Sequence, residues 1–346
     1  MTGRSGAALL VGLDVGGTKT AALVCERDGT VRGRHHAPSA LGDPEQAIDG
    51  LASVVRAALH EACAGERDVA ALGVGVPGRV DPDRGEVRLA VNLRWHGMPL
   101  GPGLESRLGI PTVLENDVRA AALGLHRRQT AGPVESLAYL AVGTGISAGV
   151  VIRGELHRGA HGLAGEIGHV PIDRSGPPCA CGLRGCVEAY GSGPSIAARA
   201  EAAGFTPVPG GTRGGDHADA GGRPGPEAVF RAAAQGDPIA KRVIDDAGWS
   251  VAWAIHLLAL AYDVERVVLG GGVSHAGEAF LAPIRREIER LAGASALASE
   301  LLVPGLVQLL PPGAEAGAWG AVTIAGQSLG VEWVPSVPRG REVGHA

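Results

Sequence analysis

Short apolar runs that alternate with glycine-rich turns divide the chain into strands and helices. Leu9 to Val15 is apolar, and Thr20 to Cys25 continues in an extended pattern, so the two runs predict a hairpin around a glycine turn. Leu137 to Val142 and Ser147 to Ile152 repeat this order later in the chain. The repetition predicts an internally duplicated fold of two domains.

The rest of the pattern alternates helices with buried strands, as in α/β folds. Helices are predicted at residues 44–64, 118–126, 227–235, 238–262, 279–291 and 314–325, and further strands at 31–34, 69–76, 112–114, 266–269 and 302–309. The segment around Asn92 is predicted to be irregular. Gly204 to Pro226 is rich in Gly, Pro and polar residues and is predicted to be a mobile insertion, and the tail after Val331 is predicted to be disordered.

Composition and charge narrow the class of protein. The chain has 346 residues, enough for two domains, and its 45% of hydrophobic residues supply two cores. The net charge of −5 and the lack of a basic block argue against nucleic acid as a partner. We find no signal-peptide pattern, and the apolar run Val251 to Tyr262 is short for a membrane span. We therefore expect a cytoplasmic protein, without a membrane partner, whose thiols stay reduced.

Two glycine turns carry candidate phosphate-binding groups. The first is Asp14-Val15-Gly16-Gly17-Thr18-Lys19 and the second is Gly143-Thr144-Gly145. Bare backbone N–H groups in such turns can approach phosphate, and a carboxylate such as Asp14 can hold Mg²⁺. The spacing is neither that of a P-loop nor that of a dinucleotide fingerprint. An ordinary hairpin explains either turn taken alone, whereas the pair suits a nucleotide held between two lobes. Gly270 to Gly272 suits close approach of a base or ribose, or forms a plain turn.

A carboxylate follows the predicted strand at residues 112–114. Asp117 is a candidate general base, because a kinase must take the proton from the acceptor hydroxyl. Asn116 would then hydrogen-bond sugar hydroxyls. The alternative is that Asp117 caps the following helix, since Asp is favoured at that position.

Three of the five cysteines lie in one glycine-rich stretch, Gly165 to Ser192. Cys179, Cys181 and Cys186 together with His169 make a complete tetrahedral ligand set for a structural Zn²⁺. Small buried cysteines or a disulfide are the alternative, although Cys-x-Cys is a poor disulfide spacing. Gly182 and Gly185 are predicted to take positive φ between the cysteines.

The same stretch carries hydrogen-bonding groups that suit a polyol or sugar. Glu166 and Glu188 can accept hydroxyl protons, and a zinc-bound His169 has one ring N–H left to donate. The alternative is that both glutamates are surface charges. Gly78 and Asn92 are candidates to complete the pocket.

In this order, the motifs resemble those of the ROK family of bacterial sugar kinases and repressors, from about Leu10 to Gln327. The segments that carry the resemblance are Asp14 to Lys19 and Gly143 to Gly145 for phosphate, Glu115-Asn116-Asp117 for catalysis, Gly165 to His169 and Cys179 to Glu188 for zinc, and Gly270 to Gly272 for adenosine. The resemblance implies the α/β, actin-like ATPase fold of the hexokinase and ribonuclease H type, duplicated as two lobes around a cleft. We expect lobes at residues 1–128 and 129–330, with the last helix packed back on the first lobe, and a flexible tail at 331–346.

The resemblance also implies an activity and a role for each motif residue. It implies ATP-dependent phosphorylation of a hexose at the 6-hydroxyl, with glucose as the expected substrate, Mg²⁺ for catalysis, Zn²⁺ for structure, and a homodimer or homotetramer. Asp117 would be the base. Sugar would be bound by Gly78, Asn92, Asn116, Asp117, Glu166, His169 and Glu188. The nucleotide would be bound by Asp14, Gly16, Gly17, Thr18, Lys19, Gly143, Thr144, Gly145, Gly270 and Gly271. Zinc would be bound by His169, Cys179, Cys181 and Cys186.

Two departures from the family pattern bear on the substrate. Val118-Arg119-Ala120 follows the catalytic motif where the family often has Ala-Asn-Ala, and Ser147 and Ala148 stand where it often has glycines. Amino sugars such as kanosamine and N-acetylmannosamine are therefore the alternative to glucose. A non-catalytic sugar-sensing regulator and a polyphosphate-dependent kinase are alternatives of other kinds. We do not expect a repressor, because no basic recognition helix precedes Asp14.

Overall fold

The structure is a computed structural model that describes residues 8–39, 42–130, 132–206 and 225–330. Its strands are β1 (Leu9–Val15), β2 (Lys19–Glu26), β3 (Val31–Pro38), β4 (Val69–Val76), β5 (Arg79–Asp81), β6 (Glu86–Ala90), β7 (Trp95–Met98), β8 (Thr112–Asn116), β9 (Ser136–Val142), β10 (Ile146–Ile152), β11 (Glu155–Leu156), β12 (Arg266–Gly270) and β13 (Val307–Leu309). Its helices are α1 (Pro44–Glu61), α2 (Leu100–Leu108), α3 (Asp117–Arg127), α4 (Glu188–Gly191), α5 (Gly193–Ala202), α6 (Pro226–Ala234), α7 (Pro238–Tyr262), α8 (Glu278–Ala294), α9 (Ala296–Leu301) and α10 (Ala316–Ser328). Most of the predicted insertion Gly204 to Pro226, and the whole tail after Val331, lie outside the described residues.

Two five-stranded sheets repeat one topology. The first has the order β3-β2-β1-β4-β8, and the second has the corresponding order β11-β10-β9-β12-β13. In the first sheet β2 runs antiparallel to β3, and β4 is parallel to both β1 and β8. In the second, β12 is parallel to both β9 and β13, and β10 is antiparallel to β11. The matching order and directions confirm the predicted duplicated α/β fold.

The central strands are continuous apolar runs because both of their faces are covered. All eight residues of β4 are buried. Helix α1 covers part of the first sheet with the apolar side chains Ile48, Leu51 and Val55, each no more than 2% exposed. Its start is fixed by Asp43, whose carboxylate accepts the N–H of Glu45. These contacts build the core behind the first glycine turn.

Glycines allow the last helix to pack against the first sheet at backbone distance. A Cβ atom at Gly12 of β1 would lie 2.3 Å from the carbonyl oxygen of Ala318, and one at Gly73 of β4 would lie 1.9 Å from that of Ala321. Any larger residue at these two positions would therefore displace α10 from the sheet. In the sequence, this close packing is indicated by the many glycine and alanine residues of α10.

The described chain forms two compact units. One unit contains the chain up to Glu135, Gly149–Ala164 and the chain from Gly313, and the other contains Ser136–Ala148 and Gly165–Pro312. The predicted lobes were continuous in sequence, with one boundary between residues 128 and 129. In the structure the chain instead passes between the two units several times. Segment Gly149–Ala164 joins the first unit because Gly149 lies close to α3, where a Cβ atom would come 2.6 Å from the carbonyl oxygen of Val118.

Two local expectations were wrong. The segment predicted to be irregular contains a three-stranded antiparallel sheet, β5-β6-β7. Val87 and Met98 pair across it and are buried, but the alternation is too short and too interrupted by charges to be evident in the sequence. The strand predicted at residues 302–309 is limited to β13, because α9 extends to Leu301 and a turn follows it.

Among the described residues, α7 alone has the length and mean hydropathy of a membrane span. It is longer than the run Val251 to Tyr262 considered from the sequence. The most apolar part of α7 is 61% buried inside the protein, as is usual for a core helix. Its length and hydropathy are therefore weak evidence that it spans a membrane.

Candidate functional site

In the first unit, the carboxyl ends of three parallel strands bring acidic residues together. The strand register sets Asp14 of β1 beside Gly75 of β4, and Gly75 beside Glu115 of β8. A Cβ atom at Gly75 would lie 3.5 Å from Cα of Asp117 and 3.8 Å from Oδ1 of Asp14. The missing side chain at Gly75 thus leaves Asp14 and Asp117 near each other at the sheet edge where α/β folds bind ligands.

Asp14 holds its proton more tightly than an ordinary aspartate. Burial is the largest cause, the negative charge of Asp117 adds to it, and Lys19 opposes it, so that the pKa of Asp14 is raised to about 7. A carboxylate in this environment gains from a nearby cation, which is the property expected of a group that faces Mg²⁺.

Gly317 at the start of α10 is a site residue that the sequence analysis missed. A Cβ atom at position 317 would lie 2.3–2.6 Å from the carboxyl atoms of Asp14. The first turn of α10 therefore lies directly against this carboxylate. The available signal was the spacing of Gly313, Gly317 and Gly320 in the last predicted helix.

The first glycine turn is closed by its own backbone and by Ser39. The N–H of Gly16 donates to the carbonyl oxygen of Lys19 at 3.0 Å, and the Ser39 hydroxyl donates to the carbonyl oxygen of Gly16 at 2.6 Å. A Cβ atom at Gly16 would lie 2.8 Å from the Lys19 carbonyl oxygen, whereas one at Gly17 would meet nothing within 4 Å. Gly16 is thus required by the turn, while the bare backbone at Gly17 faces open space. Thr18 and Lys19 are exposed.

The junction between β8 and α3 fixes the candidate base. Asn116, not Asp117, is the N-cap of α3, and its Oδ1 accepts the N–H of Arg119 at 3.1 Å. The alternative in which Asp117 is the cap is therefore wrong, because Asp117 is the first residue of the helix. The Nδ2 group of Asn116 donates to Oδ1 of Asp117 at 3.0 Å and to the carbonyl oxygen of Gly78 at 3.2 Å. The side chain of Asn116 thus orients the Asp117 carboxylate, and Asp117 is only partly buried.

The structure brings Gly78 to this junction but does not connect Asn92 to it. Gly78 has φ of 94°, and a Cβ atom there would lie 2.2 Å from the carbonyl oxygen of Leu89, so only glycine fits. Asn92 is exposed on the 3-10 turn Val91–Leu93 between β6 and β7. Among the described residues no hydrogen bond joins Asn92 to Gly78 or Asn116.

In the second unit, two glycine turns meet. The N–H of Gly143 donates to the carbonyl oxygen of Gly145 at 2.9 Å, which closes the turn between β9 and β10. Gly271 has φ of 86°, and a Cβ atom there would lie 2.4 Å from the carbonyl oxygen of Val142. A Cβ atom at Gly143 would lie 3.6 Å from the Gly272 nitrogen. The predicted phosphate turn and the predicted adenosine turn are therefore neighbours.

Glu188 connects the cysteine loop to the predicted phosphate turn. Its Oε2 accepts the N–H of Ile146 at 2.8 Å, and a Cβ atom at Gly145 would lie 2.8 Å from the same oxygen. The loop also meets β10 through Ala148, whose N–H donates to the carbonyl oxygen of Gly165 at 2.8 Å. Glu188 is thus more than a surface charge, whereas Glu166 is exposed at the start of the 3-10 turn Ile167–His169.

The cysteine loop holds its ligand atoms at distances that fit a tetrahedral metal. Cys179 Sγ lies 3.7 Å from His169 Nδ1, and Cys181 Sγ lies 3.7 Å from Cys186 Sγ. Zinc bonds of about 2.0–2.3 Å at tetrahedral angles separate neighbouring ligands by about 3.5–3.8 Å. The cysteines are free, so the disulfide alternative is not what the structure contains.

Positive φ angles and a buried tyrosine order this loop. Gly182 and Gly185 have φ of 92° and 65°, as predicted. A Cβ atom at Gly185 would lie 1.6 Å from the carbonyl oxygen of Asp173, whose carboxylate accepts the Tyr190 hydroxyl at 2.6 Å. With His169 bound through Nδ1, its Nε2–H would remain available as a donor.

Comparison with known proteins identifies the class of this chain. The glucokinase of Streptomyces coelicolor is 33% identical over 298 residues, covering 82% of this chain and 87% of that protein. The N-acetylmannosamine kinase of Shigella boydii is 34% identical over 278 residues, covering 79% and 86%. The structure of a ROK family glucokinase from Streptomyces griseus in complex with glucose and AMPPNP has a TM-score of 0.72 and 31% identity, covering 92% of this chain and 99% of that one.

The fold is therefore the actin-like sugar-kinase fold, and the protein is an ATP-dependent sugar kinase. The ROK family model matches residues 10–328, so the chain belongs to the ROK family, as its motifs predicted.

Proposed function

We propose that this sugar kinase transfers the γ-phosphoryl group of ATP to the 6-hydroxyl of glucose, with Asp117 as the general base. The observation that carries the proposal is the hydrogen bond from Asn116 to the Asp117 carboxylate, which orients a partly buried carboxylate at the carboxyl end of β8. A base in that position takes the proton as the hydroxyl attacks the phosphorus atom, and phosphoryl transfer needs little other covalent help from the protein. Asn116 would then also bind the sugar.

The nucleotide would be held by the glycine turns. Gly16, Gly17, Thr18 and Lys19 offer backbone and side-chain donors to phosphate in the first unit, and Gly143, Thr144 and Gly145 offer them in the second. Gly270 and Gly271 would lie against the adenosine. Asp14 would hold Mg²⁺, which neutralises phosphate charge when bound. The raised pKa of Asp14 supports this role, because a cation would return the carboxylate to its charged form.

The cysteine loop would hold a structural zinc ion. His169, Cys179, Cys181 and Cys186 supply one nitrogen and three sulfur atoms, a set that leaves no position open for water. In this role the metal orders the residues predicted to bind sugar, which are Glu166, His169 and Glu188. Gly78 and Asn92 would complete the sugar site in the first unit.

A second candidate substrate is an amino sugar. The N-acetylmannosamine kinase of Shigella boydii has nearly the same percentage identity to this chain, over a shorter alignment, as the Streptomyces coelicolor glucokinase has. Ser147 and Ala148 lie on β10 beside Gly165, one position before Glu166, and both depart from the glycines common in the family. We keep glucose as the first choice, kanosamine or N-acetylmannosamine as the second, and a non-catalytic sugar sensor as the alternative of another class.

Three wider expectations belong to the same proposal. We propose a cytoplasmic location, because ATP and reduced thiols are available there. We propose a homodimer or homotetramer. Sugar and nucleotide are the proposed small-molecule partners, with neither nucleic acid nor membrane.

The test is ADP release by the purified, zinc-loaded protein with ATP and Mg²⁺. The acceptors are glucose, N-acetylmannosamine, mannose, fructose, allose, glucosamine and kanosamine. We expect the highest kcat/KM with glucose. A higher value with an amino sugar would replace glucose by that substrate, and inactivity with every acceptor would contradict the proposed function.

A further inference from the structure

A buried ion-pair cluster stands directly behind the predicted base. The carboxylate of Glu115 is 1% exposed and is bound on both of its oxygens. Its Oε1 accepts Nε of Arg119 at 2.9 Å and the N–H of Asn116 at 2.8 Å, and its Oε2 accepts Nε of Arg158 at 2.6 Å. A carboxylate this deeply buried requires such partners, because its charge has lost the stabilisation of water.

The two arginines differ in exposure. The side chain of Arg119 is 3% exposed, whereas that of Arg158 is 45% exposed. Arg119 also stands at the position where the sequence departs from the family pattern after the catalytic motif. Arg158 is therefore the residue of the cluster that can be replaced without leaving a buried charge unpaired, because Glu115 would still form its ion pair with Arg119.

The cluster attaches one loop at two points. Arg158 begins the bend of residues 158–164, and the guanidinium of Arg119 donates to the carbonyl oxygen of Gly162 at 3.0 Å. The loop closes on itself where the N–H of Ala164 donates to the carbonyl oxygen of Arg158 at 3.2 Å. In the chain, Glu166 of the predicted sugar site follows two residues after Ala164.

A continuous path of hydrogen bonds leads from this loop to Asp117. Arg158 binds Glu115, Glu115 holds the N–H of Asn116, and Asn116 donates through Nδ2 to Oδ1 of Asp117. Arg119 reinforces the path, because its own N–H donates to Oδ1 of Asn116. Each step is a direct contact between residues of the first unit.

We propose that Arg119 and Arg158 are positioning residues that orient Asp117 through Glu115 and Asn116, so that the loop of residues 158–164 is coupled to the base. This inference rests on the proposed function, in which Asp117 is the base. The charge-assisted contacts to two planar guanidinium groups restrict the Glu115 carboxylate, and through it the cap that orients Asp117.

The experiment compares Arg158→Gln with Arg158→Lys, and with Arg107→Gln as the matched control. Arg107 of α2 likewise binds two carboxylates in the first unit, those of Glu45 and Asp49 on α1, and neither ion pair involves Glu115 or the residues that it contacts. For each variant we would measure kcat, the KM values for sugar and ATP, the Tm, and hydrogen exchange of peptides covering residues 113–120 and 158–164.

We expect Arg158→Gln to lower kcat about tenfold, because a small misorientation of a base is costly, while the KM for ATP changes less than about twofold. Exchange should rise in both peptides, and the Tm should match that of Arg107→Gln. Arg158→Lys should recover part of kcat, since it restores the charge but not the planar geometry.

Equal kcat for Arg158→Gln and Arg107→Gln would overturn the inference, and so would faster exchange in the loop peptide alone. Inactivity of the wild-type protein on every sugar would instead contradict the proposed function. The two failures are distinguishable, because only the first concerns the difference between the Arg158 and Arg107 variants.

Discussion

The two units hold their predicted ligand-binding groups in different ways. In the first unit, a side-chain hydrogen bond orients the proposed base, because Asn116 donates to the carboxylate of Asp117. In the second, Glu166 and His169 lie on a loop whose ligand atoms are arranged for a metal. The difference supports our proposal that the first unit supplies groups for proton and phosphate chemistry, and that the second supplies a sugar-recognition surface ordered by a metal ion.

The largest expected effect is on turnover in the first unit. Asp117→Asn removes the proposed base and keeps the size of the side chain, so kcat should fall by about 10²-fold or more. The affinity for sugar should change less than about threefold, since an amide can still hydrogen-bond a hydroxyl. Steady-state kinetics and calorimetric titration with glucose measure the two effects. Asp83→Asn, an exposed aspartate in the turn after β5, is the matched control, and turnover near wild type in Asp117→Asn would remove Asp117 as the base.

The second effect concerns recognition in the other unit. Cys181→Ala removes one of the four proposed zinc ligands, so we expect loss of bound zinc and a KM for sugar about tenfold higher or more, because the loop would lose its order. Metal analysis and kinetics measure this. Cys63→Ala, at an exposed cysteine outside the loop, should change neither quantity. A zinc-free protein with the wild-type KM would contradict the organising role of the metal.

The third effect separates two adjacent glycines in the second unit. Gly271→Ala forces an alanine into positive φ and against the Val142 carbonyl oxygen, so stability should fall by about 1–3 kcal/mol. Gly272→Ala meets nothing within 4 Å and should leave the free energy of unfolding within about 0.5 kcal/mol of wild type. Denaturant unfolding of the two variants checks this. Equal losses would show that the close contact at Gly271 is not what requires glycine there.

The smallest effect is a pH-dependent gain in stability. The pKa of Asp14 is raised to about 7 in the folded protein, so between about pH 4 and 7 the folded state binds more protons than the unfolded state. Stability of the metal-free protein should therefore decrease as the pH rises through this window. Asp14→Asn cannot ionise, and its Tm at pH 8 should be about 3 °C higher than that of wild type or more, with little difference at pH 5. Thermal unfolding in a chelator measures it, and a lower Tm for the variant at pH 8 would show that the ionised carboxylate is not destabilising.

The sequence was sufficient to predict much of the fold because apolar runs and glycine turns are local signals. Strand β4 and helix α7 begin and end where the pattern predicted, and the repeated hairpin predicted the duplication. The family and the class of reaction were likewise predictable, because the motifs are short and keep their order.

The features that were missed depend on contacts distant in sequence. Gly317 lies against Asp14 because α10 packs on β1, and Arg158 binds Glu115 across 43 positions. Neither contact follows from spacing or periodicity. The small sheet β5-β6-β7 was missed for a different reason, since its strands have only three to five residues.

One paired titration tests most directly whether the two units divide the roles of phosphoryl transfer and sugar recognition. Glucose affinity and kcat would be measured side by side for Asp117→Asn and for wild-type protein stripped of zinc. We predict opposite patterns: the variant keeps its affinity and loses turnover, whereas the zinc-free protein loses affinity. An equal loss of affinity in both samples, or zinc-free protein with full affinity and full turnover, would contradict this division of roles.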